Sequence, residues 1–456
     1  MSLLSKIQRI AYLVILSSSP LSAAGPEAPI VWSPPAGFDP GKDGLGLPQL
    51  PGVSHTTIYD PQLEQPLVGL DGKPAPQGWL NHHARLLRLG NHLVVTWTSH
   101  LSDENAPGQR VLACTALIGS DGEIHWSPTI VEVGPSPVPM KPRGWNSHPD
   151  LLDGPFVVGR LAIIKGRLYF SGALPAYDGW TDEVGLHGGQ RKPIPADRYR
   201  LEMNRETNFR YDIMRDLKLR FIQAWEFRGN ELVPASPMYL LAPAVKSIEV
   251  TPGRFKPVIP LNETYRNAPS IGTAPEAIQQ AATAKPDVSF ERPLPYPPGK
   301  GHLAADGFNG LAHWAEFRRP DGKWVVVRDN LEKRGFYYAA LKPDAGAEYP
   351  PAVRTNLFGD VDADAGELPD GRVWLIGNDL PRVHLYLTLS NDGIHFDRTW
   401  LLRHDRIPLK PGLGKTTQPN GPQYPHVLQL EDRLIVAYSI GKQRIGVSVV
   451  PLESLR

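Results

Sequence analysis

The sequence predicts an all-β protein of the β-propeller type, and three observations support that fold class. The first is a hairpin that occurs twice, at 120–126 and 390–396, where the chain turns on Asp-Gly and an aromatic residue follows. Asp and Gly tolerate the positive φ of tight hairpins, and the ring can cover the turn. The second is a spacing of about 40 to 60 residues between hairpin pairs, which matches four-stranded blades. The third is the content of 48 proline and 43 glycine residues, which favours frequent chain reversal over long helices.

The N-terminal residues predict an export signal. Lys6 and Arg9 form a positive region, Ile10 to Leu16 form a short apolar core, and small residues follow. The core is too short to span a bilayer, and no later run approaches about 20 apolar residues. We therefore expect residues 1–24 to be a cleaved signal peptide and the mature protein to be secreted or periplasmic.

Residues 25–456 are expected to form a single propeller domain, in which strand signals become regular from Ala84 onward. Residues 181–225 interrupt this regularity with a partial helical pattern, and residues 242–300 contain many prolines and one helix-like patch at 275–284. We interpret 181–300 as an insertion with a long Pro-rich loop region, of the kind that commonly builds binding sites. Further hairpins are predicted at the turns 90–91, 165–167, 228–230, 320–322, 369–371 and 431–432.

Charge, cysteine content and motifs exclude several classes of protein. The net charge of +1 gives no bulk electrostatic reason to expect a nucleic acid or an anionic membrane as partner. Cys114 is the only cysteine, so no intramolecular disulfide can form, and its apolar surroundings predict a buried structural thiol. The sequence lacks a nucleophile elbow, a phosphate loop or a dinucleotide fingerprint in a credible setting. Because acidic residues are plentiful, the sequence does not exclude a pair of carboxylates that catalyses glycoside hydrolysis.

Histidines supply the first set of candidate catalytic residues. His82 and His83 follow Asn81, and His100 ends the next predicted strand, so the two groups can share one rim of a strand pair. A histidine can act as a general base near neutral pH, and two can divide the base and orienting roles. The alternatives are that adjacent histidines only cap a strand, or that they bind zinc, for which a compact His-Cys spacing is lacking. His148 lies in a further polar and aromatic loop.

Arginine, tyrosine and tryptophan side chains supply a second set. An acidic sugar needs arginine forks for its carboxylate or sulfate, tyrosine can serve as an acid or a base, and tryptophan can stack on sugar rings. An isolated arginine or tyrosine is usually an ordinary surface residue, and packing in a blade core is the equal alternative for each tryptophan. The candidates are Arg143, Tyr169, Tyr177, Arg205 and Arg220, with Trp79, Trp145 and Trp180 as stacking platforms.

Several segments of the chain, concentrated at 78–126 and 310–450, share motifs with a known family. They are Asn81-His82-His83, Trp97 to Arg110, Trp324 to Asp329, Gly366 to Arg372, Leu375 to Asn378, Leu389 to Arg398, Gln423-Tyr424-Pro425-His426 and Ala437-Tyr438-Ser439. These segments resemble the sialidase-like bacterial propellers, in which the repeated hairpin is called an Asp box. Relatives of that family include ulvan lyases and a rhamnosyl-glucuronate hydrolase. A true sialidase is implied less well, because its Arg-Ile-Pro segment belongs to the first blade and occurs here at 406–408.

The resemblance implies a seven-bladed propeller, a polysaccharide substrate and a set of site residues. In the related lyases, histidine and tyrosine move protons and an arginine neutralises the uronate. Carried over residue by residue, His83 and His100 fit the two catalytic histidine positions, with His82 as the alternative to His83. Tyr177 and Arg220 are assigned to the catalytic tyrosine and arginine roles without a motif match, because the matching motifs fade in that region. The expected substrate contacts are His82, Arg143, Trp145 and His148.

We therefore expect an exported polysaccharide lyase that cleaves a uronic-acid-containing, ulvan-like glycan by β-elimination. In that reaction an arginine pairs with the C5 carboxylate, a base removes the C5 proton and an acid protonates the departing O4. The alternatives are a sialidase-like or rhamnosidase-like glycoside hydrolase and a non-catalytic glycan-binding propeller. The expected partner is an acidic polysaccharide or oligosaccharide, with neither nucleic acid nor membrane, and the chain is expected to be a monomer. The expected chemistry needs no cofactor. The sequence does not decide whether the chain binds a structural metal ion, or which one.

Overall fold

The computed structural model describes residues 29–100, 110–134, 158–182, 191–193, 211–241, 267–289 and 299–456, apart from positions 64, 285, 302, 309, 331–333, 360 and 411–419. At 158–160, 173–182, 191–193, 211–220, 288–289 and 312 the description covers the backbone alone. Within these ranges the regular structure consists of 25 β-strands, one α-helix and three short 3-10 helices. The prediction of an all-β fold is therefore confirmed.

Most strands are short and follow one another along the chain. The helix α1 spans Glu276–Thr283, and the 3-10 helices span Asp43–Gly46, Ile271–Thr273 and Leu452–Leu455. The strands are β1 (Val31–Trp32), β2 (Ser54–Tyr59), β3 (Leu67–Val68), β4 (Leu80–Leu89), β5 (His92–His100), β6 (Arg110–Ile118), β7 (Ile124–Gly134), β8 (Val158–Ile164), β9 (Arg167–Asp182), β10 (Arg191–Pro193), β11 (Tyr211–Arg228), β12 (Glu231–Pro234), β13 (Tyr239–Leu240), β14 (Val288–Ser289), β15 (Leu311–Arg318), β16 (Trp324–Asn330), β17 (Phe336–Lys342), β18 (Val353–Phe358), β19 (Asp364–Glu367), β20 (Val373–Asn378), β21 (His384–Ser390), β22 (His395–His404), β23 (Pro422–Gln429), β24 (Arg433–Ile440) and β25 (Arg444–Pro451).

Five sheets repeat one pattern, in which strands that follow one another in the chain are antiparallel neighbours, except that the short strand β10 lies between β9 and β11 in the chain and pairs with β9. Their orders are β4-β5-β6-β7, β8-β9-β11-β12, β15-β16-β17-β18, β19-β20-β21-β22 and β23-β24-β25. This is the blade-like unit that the hairpin spacing predicts. The described residues contain five such sheets, so the seven blades implied by the resemblance and the division into one domain stay predictions.

The N-terminal segment adds one strand to the edge of each of three sheets. β1 runs parallel to β22, and β3 runs parallel to β7. β2 pairs antiparallel with β25, so the sheet of β23–β25 has four strands, one from the beginning of the chain and three from its end.

The two repeated hairpins connect the third and fourth strands of their sheets, β6 to β7 and β21 to β22. In the second hairpin, Asp392 Oδ1 accepts hydrogen bonds from the backbone N–H groups of Ile394 and His395 at 2.7 and 2.8 Å. Phe396 follows the turn, is fully buried and packs edge-on against Phe317 of the neighbouring sheet. The carboxylate therefore fixes the turn, and the aromatic ring joins one sheet to the next.

The partial helical pattern within 181–225 is wrong as a prediction where the structure describes it. Residues 211–228 form β11, which pairs antiparallel with β9. The register of this pairing shifts twice, and such bulges break the alternation by which a strand is recognised in a sequence. The helix-like patch at 275–284 is confirmed, because α1 lies within it.

The hydrophobic core lies between neighbouring sheets. Trp97 and Ile435 belong to a cluster that joins the sheet of β4–β7 to the sheet of β23–β25. Leu387 and Val436 belong to a cluster that joins β19–β22 to the same sheet from its other side. Cys114 is fully buried in the first of these clusters, and burial raises the pKa of its thiol to about 12, so its expected burial is confirmed.

The first strands of four sheets lie side by side and position the candidate site. β4 contacts β23, β23 contacts β19, and β19 contacts β15. The register shifts after His82 in β4, after Leu311 in β15 and after Gln423 in β23. Bulges of this kind re-aim the side chains that follow them and are enriched next to active sites.

Candidate functional site

Tyr424 lies at the centre of a histidine cluster formed by three of these strands. Its ring centroid is 4.3 Å from that of His82, with the rings nearly perpendicular, and 5.1 Å from that of His83, with the rings stacked. The ring of His313 approaches it edge-on at 5.6 Å. Tyr424 itself is 8% exposed. A phenol and three imidazoles, all groups that can transfer protons, therefore share one small volume.

Two basic side chains complete the surroundings of this ring. The Arg382 guanidinium lies 5.9 Å and the Lys442 ammonium 5.8 Å from the Tyr424 ring centroid. Arg382 lies between β20 and β21 and Lys442 between β24 and β25, so two hairpin tips converge on the same tyrosine. This arrangement gives the cluster a local positive charge, although the whole chain is nearly neutral.

The backbone around Tyr424 is held in an uncommon conformation. His83, Arg382, Tyr424 and Lys442 have φ of 57°, 55°, 57° and 54°, in the left-handed region that side chains with a Cβ rarely adopt. They are four of the six non-glycine residues with positive φ in the described parts of the chain. Strain of this kind persists where the surrounding structure over-determines it, and it clusters at functional sites.

Two buried asparagine side chains hold this conformation in place. The Asn81 amide donates to the carbonyl of Gln443 at 2.8 Å, and its backbone N–H donates to that of Lys442 at 2.7 Å. The Asn378 side chain donates to the carbonyl of Pro422 at 2.6 Å and accepts from the Tyr424 backbone N–H at 3.3 Å. Each asparagine thus fastens an inner strand to a neighbouring hairpin, which pre-organises the cluster.

His313 and Asp329 form a dyad beside the tyrosine. Asp329 Oδ2 lies 2.8 Å from His313 Nδ1, and Asp329 Oδ1 accepts from the His313 backbone N–H at 2.6 Å. Asp329 is 4% exposed, so the carboxylate is fixed in place. A carboxylate at Nδ1 keeps the proton of a neutral imidazole on that nitrogen and leaves Nε2 as a proton acceptor.

His82 is a buried neutral member of the cluster. Burial lowers its pKa well below the usual value of 6.5, and Lys442, His83 and Arg382 lower it further through their positive charge. Its Nδ1 lies 3.0 Å from Ser439 Oγ. His82 therefore stays unprotonated under conditions in which an exposed histidine is charged.

The depressed pKa of His82 makes folding stability depend on pH. Below about pH 6.5 the unfolded chain binds a proton at this residue and the folded chain does not, so stability is lost as the pH falls. The loss is at most about 1.4 kcal/mol per pH unit. In urea unfolding at pH 7.5 and 5.5, we expect His82→Gln to lose less stability than the wild type. The exposed His125 offers the control His125→Gln, and an equal loss in the wild type and His82→Gln would contradict the prediction.

The predicted site residues fall into three groups. His82 and His83 lie in the cluster. His100 lies opposite Leu80, at the end of the β4–β5 hairpin where His82 and His83 also lie, and it is 9% exposed. The side chains of Tyr177 and Arg220 lie outside the described residues, and their backbones belong to β9 and β11 of another sheet. The substrate contacts predicted at Arg143, Trp145 and His148 also lie outside the described residues.

Four residues of the cluster have no role predicted from the sequence: Tyr424, His313, Arg382 and Lys442. A signal did exist for the first of them, because Gln423-Tyr424-Pro425-His426 is one of the segments that carry the family resemblance. The two basic residues lie in short turns between strands, where a lone Arg or Lys is ordinary. Only the convergence of the turns reveals them.

Comparison with known proteins identifies the fold of this chain but does not assign the chain to a family. No family model matches the chain, and no curated protein matches it. Among solved structures, a sialidase is similar over 93% of this chain and 35% of its own, with a TM-score of 0.56 and 16% identity. The sialidase of Trypanosoma rangeli in complex with 2,3-difluorosialic acid gives a TM-score of 0.46 and 11% identity over 90% of this chain and 60% of its own.

The intramolecular trans-sialidase of Ruminococcus gnavus, in complex with oseltamivir carboxylate, gives a TM-score of 0.40 and 12% identity, covering 82% of this chain and 95% of its own. This chain spans about a third of the length of the first sialidase. Within the described residues, no helix is long and apolar enough to cross a membrane. The similarity to the first sialidase shows that the fold of this chain is sialidase-like, while the relationship to ulvan lyases and rhamnosyl-glucuronate hydrolases stays a prediction.

Proposed function

We propose that this protein is a carbohydrate-active enzyme that hydrolyses a glycosidic bond in an acidic glycan, with Tyr424 at the centre of its active site. The observation that carries the proposal is the contact of one strained, nearly buried tyrosine with three histidines and two basic side chains. The sialidase-like fold supports hydrolysis over the elimination expected from the sequence. The proposal includes export of the mature chain, which the signal-like pattern of residues 1–24 supports.

The positive charge around Tyr424 supports an acidic substrate. Lys442, Arg382 and Arg85 all act on the buried imidazole of His82. Arg85 is already paired with Asp362, with 3.6 Å between Nη2 and Oδ2. We assign Arg382 and Lys442 to the substrate's carboxylate or sulfate because their charged groups lie 5.9 and 5.8 Å from the Tyr424 ring centroid. Charge-assisted hydrogen bonds to an anion are stronger than hydrogen bonds to a neutral group.

Tyr424 and the His313–Asp329 dyad can carry a hydrolytic mechanism without a cofactor. In the proposed first step His313 Nε2 accepts the phenolic proton, the Tyr424 oxygen bonds to the anomeric carbon, and the bond to the leaving oxygen breaks. His83 in its protonated form donates the proton that this leaving oxygen needs. Water then attacks the anomeric carbon, releases the tyrosine and restores the protons. A tyrosine nucleophile is an established variation on the two-carboxylate scheme.

Elimination is the second candidate function, and the stacked His83–Tyr424 pair is the observation that favours it. A base and an acid on neighbouring strands could remove a C5 proton and protonate the departing O4, while Arg382 pairs with the uronate. The roles first predicted for His100, Tyr177 and Arg220 belong to this second proposal.

Product analysis separates these functions. The full chain is incubated with sialylated oligosaccharides, ulvan and other uronate glycans, and both reducing ends and the ultraviolet absorbance of an unsaturated uronate are followed. New reducing ends without absorbance support the hydrolase, and a rise in both supports the lyase. Saturable binding without new ends would contradict both proposals and identify a glycan-binding protein.

Arg382 provides a test of the acidic substrate. Arg382→Asn keeps a residue that tolerates left-handed φ, and we expect roughly a 10- to 100-fold loss of kcat/KM on the acidic glycan, mostly through KM. Lys165→Asn is a matched control, because Lys165 is also a basic residue with positive φ (50°) in a hairpin, in another sheet. An unchanged KM in Arg382→Asn would show that this guanidinium does not bind the anion.

A further inference from the structure

A cross-strand pair of histidines lies two residues beyond Arg382. His384 in β21 is directly opposite His404 in β22, and the ring centroids are 4.7 Å apart. Side chains directly opposite each other in antiparallel strands lie on the same face of the sheet, close enough to act together. Asp43, from the N-terminal 3-10 helix, reaches both rings. Its Oδ1 lies 2.9 Å from His404 Nε2 and 3.8 Å from His384 Nε2.

We propose that Asp43, His384 and His404 form a binding site for a divalent transition-metal ion, with Zn²⁺ as the best fit. One donor atom from each residue lies within 4.8 Å of the others. Two imidazole nitrogens and one carboxylate oxygen are a donor set that zinc accepts, and three protein ligands leave a fourth position for water. The site does not rest on the proposed hydrolase activity.

A buried carboxylate orients the inner ligand of this site. Asp379 Oδ2 lies 2.6 Å from His384 Nδ1, and Asp379 Oδ1 accepts from the backbone N–H groups of Val383 and His384 at 2.7 and 3.0 Å. Metal-binding histidines commonly donate their other ring N–H to such a carboxylate, which fixes the tautomer and makes the ligating nitrogen more basic. His384 is 3% exposed and Asp379 is fully buried, so the ring is held in place with its Nε2 3.8 Å from Asp43 Oδ1.

Three contacts must yield when the ion binds, because the ion replaces the direct contact of His404 Nε2 with Asp43 Oδ1 as well as the two that follow. The Gly44 backbone N–H donates to His384 Nε2 at 3.1 Å, and the Arg406 guanidinium lies 3.3 Å from Asp43 Oδ1. Gly44 has a φ of 70° and no Cβ, so its turn can shift at low cost. Arg406 and Asp43 are exposed, and His404 is more exposed than His384, so its ring can turn towards the ion.

The ion would fasten the N-terminal segment to the sheet of β19–β22. Asp43 comes from outside that sheet, whereas both histidines belong to it. Because the β20–β21 turn also carries Arg382, the ion would fix the base of the hairpin that presents this arginine to Tyr424. The expected role is therefore structural.

Zinc binding by the full chain tests the proposal. After treatment with EDTA and dialysis, titration calorimetry with Zn²⁺ should show one saturable site per chain, and Zn²⁺ should raise the Tm. Asp43→Asn and His404→Gln change exposed or half-exposed side chains, so the fold should survive them. Each should weaken Zn²⁺ binding by at least about tenfold and abolish the rise in Tm.

His395→Gln is the matched control, because His395 is an exposed histidine of the same strand β22 that is paired with Asp392. It should bind Zn²⁺ like the wild type. Failure of the wild type to bind one Zn²⁺ per chain would overturn the proposal, as would wild-type affinity in both Asp43→Asn and His404→Gln. Glycan turnover is not part of the readout, so this result is independent of the proposed function.

Discussion

Tyr424→Phe is expected to reduce turnover of the acidic glycan by roughly 10²- to 10⁴-fold, the range found when an acid, a base or a nucleophile is removed from an active site. The substitution removes one oxygen atom and keeps the ring that contacts His82, His83 and His313. The strained backbone and the stacking are therefore retained, and the loss should fall on kcat. Initial rates with the substrate identified by product analysis provide the measurement.

A second tyrosine offers a close control for this experiment. Tyr438 lies in β24, next to the strand of Tyr424, and its hydroxyl is 2.8 Å from Ser448 Oγ. Burial raises the pKa of Tyr438 to about 12, which makes it a poor acid–base group. Tyr438→Phe should cost about 1 kcal/mol of stability and leave turnover unchanged. Equal turnover in Tyr424→Phe and the wild type would remove Tyr424 from the mechanism.

His83→Asn is expected to reduce kcat/KM by about 10²-fold, because in the proposed mechanism the ring stacked on Tyr424 donates the proton to the leaving group. Asparagine is chosen because it tolerates the left-handed φ of 57° better than alanine, so the bulge in β4 should be preserved. Activity across a pH series is the measurement, and the arm of the profile that reports the general acid should disappear.

Two further histidines of the same hairpin complete this experiment. His92 stacks on Phe227 at the opposite end of the β4–β5 pair, and His92→Asn should retain wild-type activity. His100→Asn tests the other histidine predicted from the sequence. Full activity in both His83→Asn and His100→Asn would show that neither histidine takes part in the chemistry.

Local sequence signals were sufficient for the hairpins and the sheet repeat. The Asp-Gly turn before Phe396 can be recognised from the local sequence, because Asp392 forms its hydrogen bonds with residues only two and three positions away. β11 could not be recognised in the same way. Its two register shifts are responses to its partner β9, and a pattern read along one strand contains no information about its neighbour.

The candidate site was only partly predictable for a related reason. The adjacent pair His82-His83 is conspicuous in a sequence, and both residues lie in the cluster. Tyr424 is one of 15 tyrosines, and Arg382 and Lys442 are two of 48 basic residues. What distinguishes them is a shared left-handed backbone and a common neighbour, and both properties depend on how four sheets meet.

The pairing of β2 with β25 constrains when the molecule can fold. The strand at 54–59 completes a sheet whose other members lie at 422–451, so it cannot pair until those residues have been synthesised. Contacts of such long sequence separation slow folding, and an unpaired strand edge promotes association with other chains in the meantime. The contact between His83 and Tyr424 is delayed in the same way, since these two residues are far apart in the sequence. The proposed active site is therefore assembled only after the strand that carries Tyr424 has been synthesised, and a nascent chain that ends before this strand should be inactive.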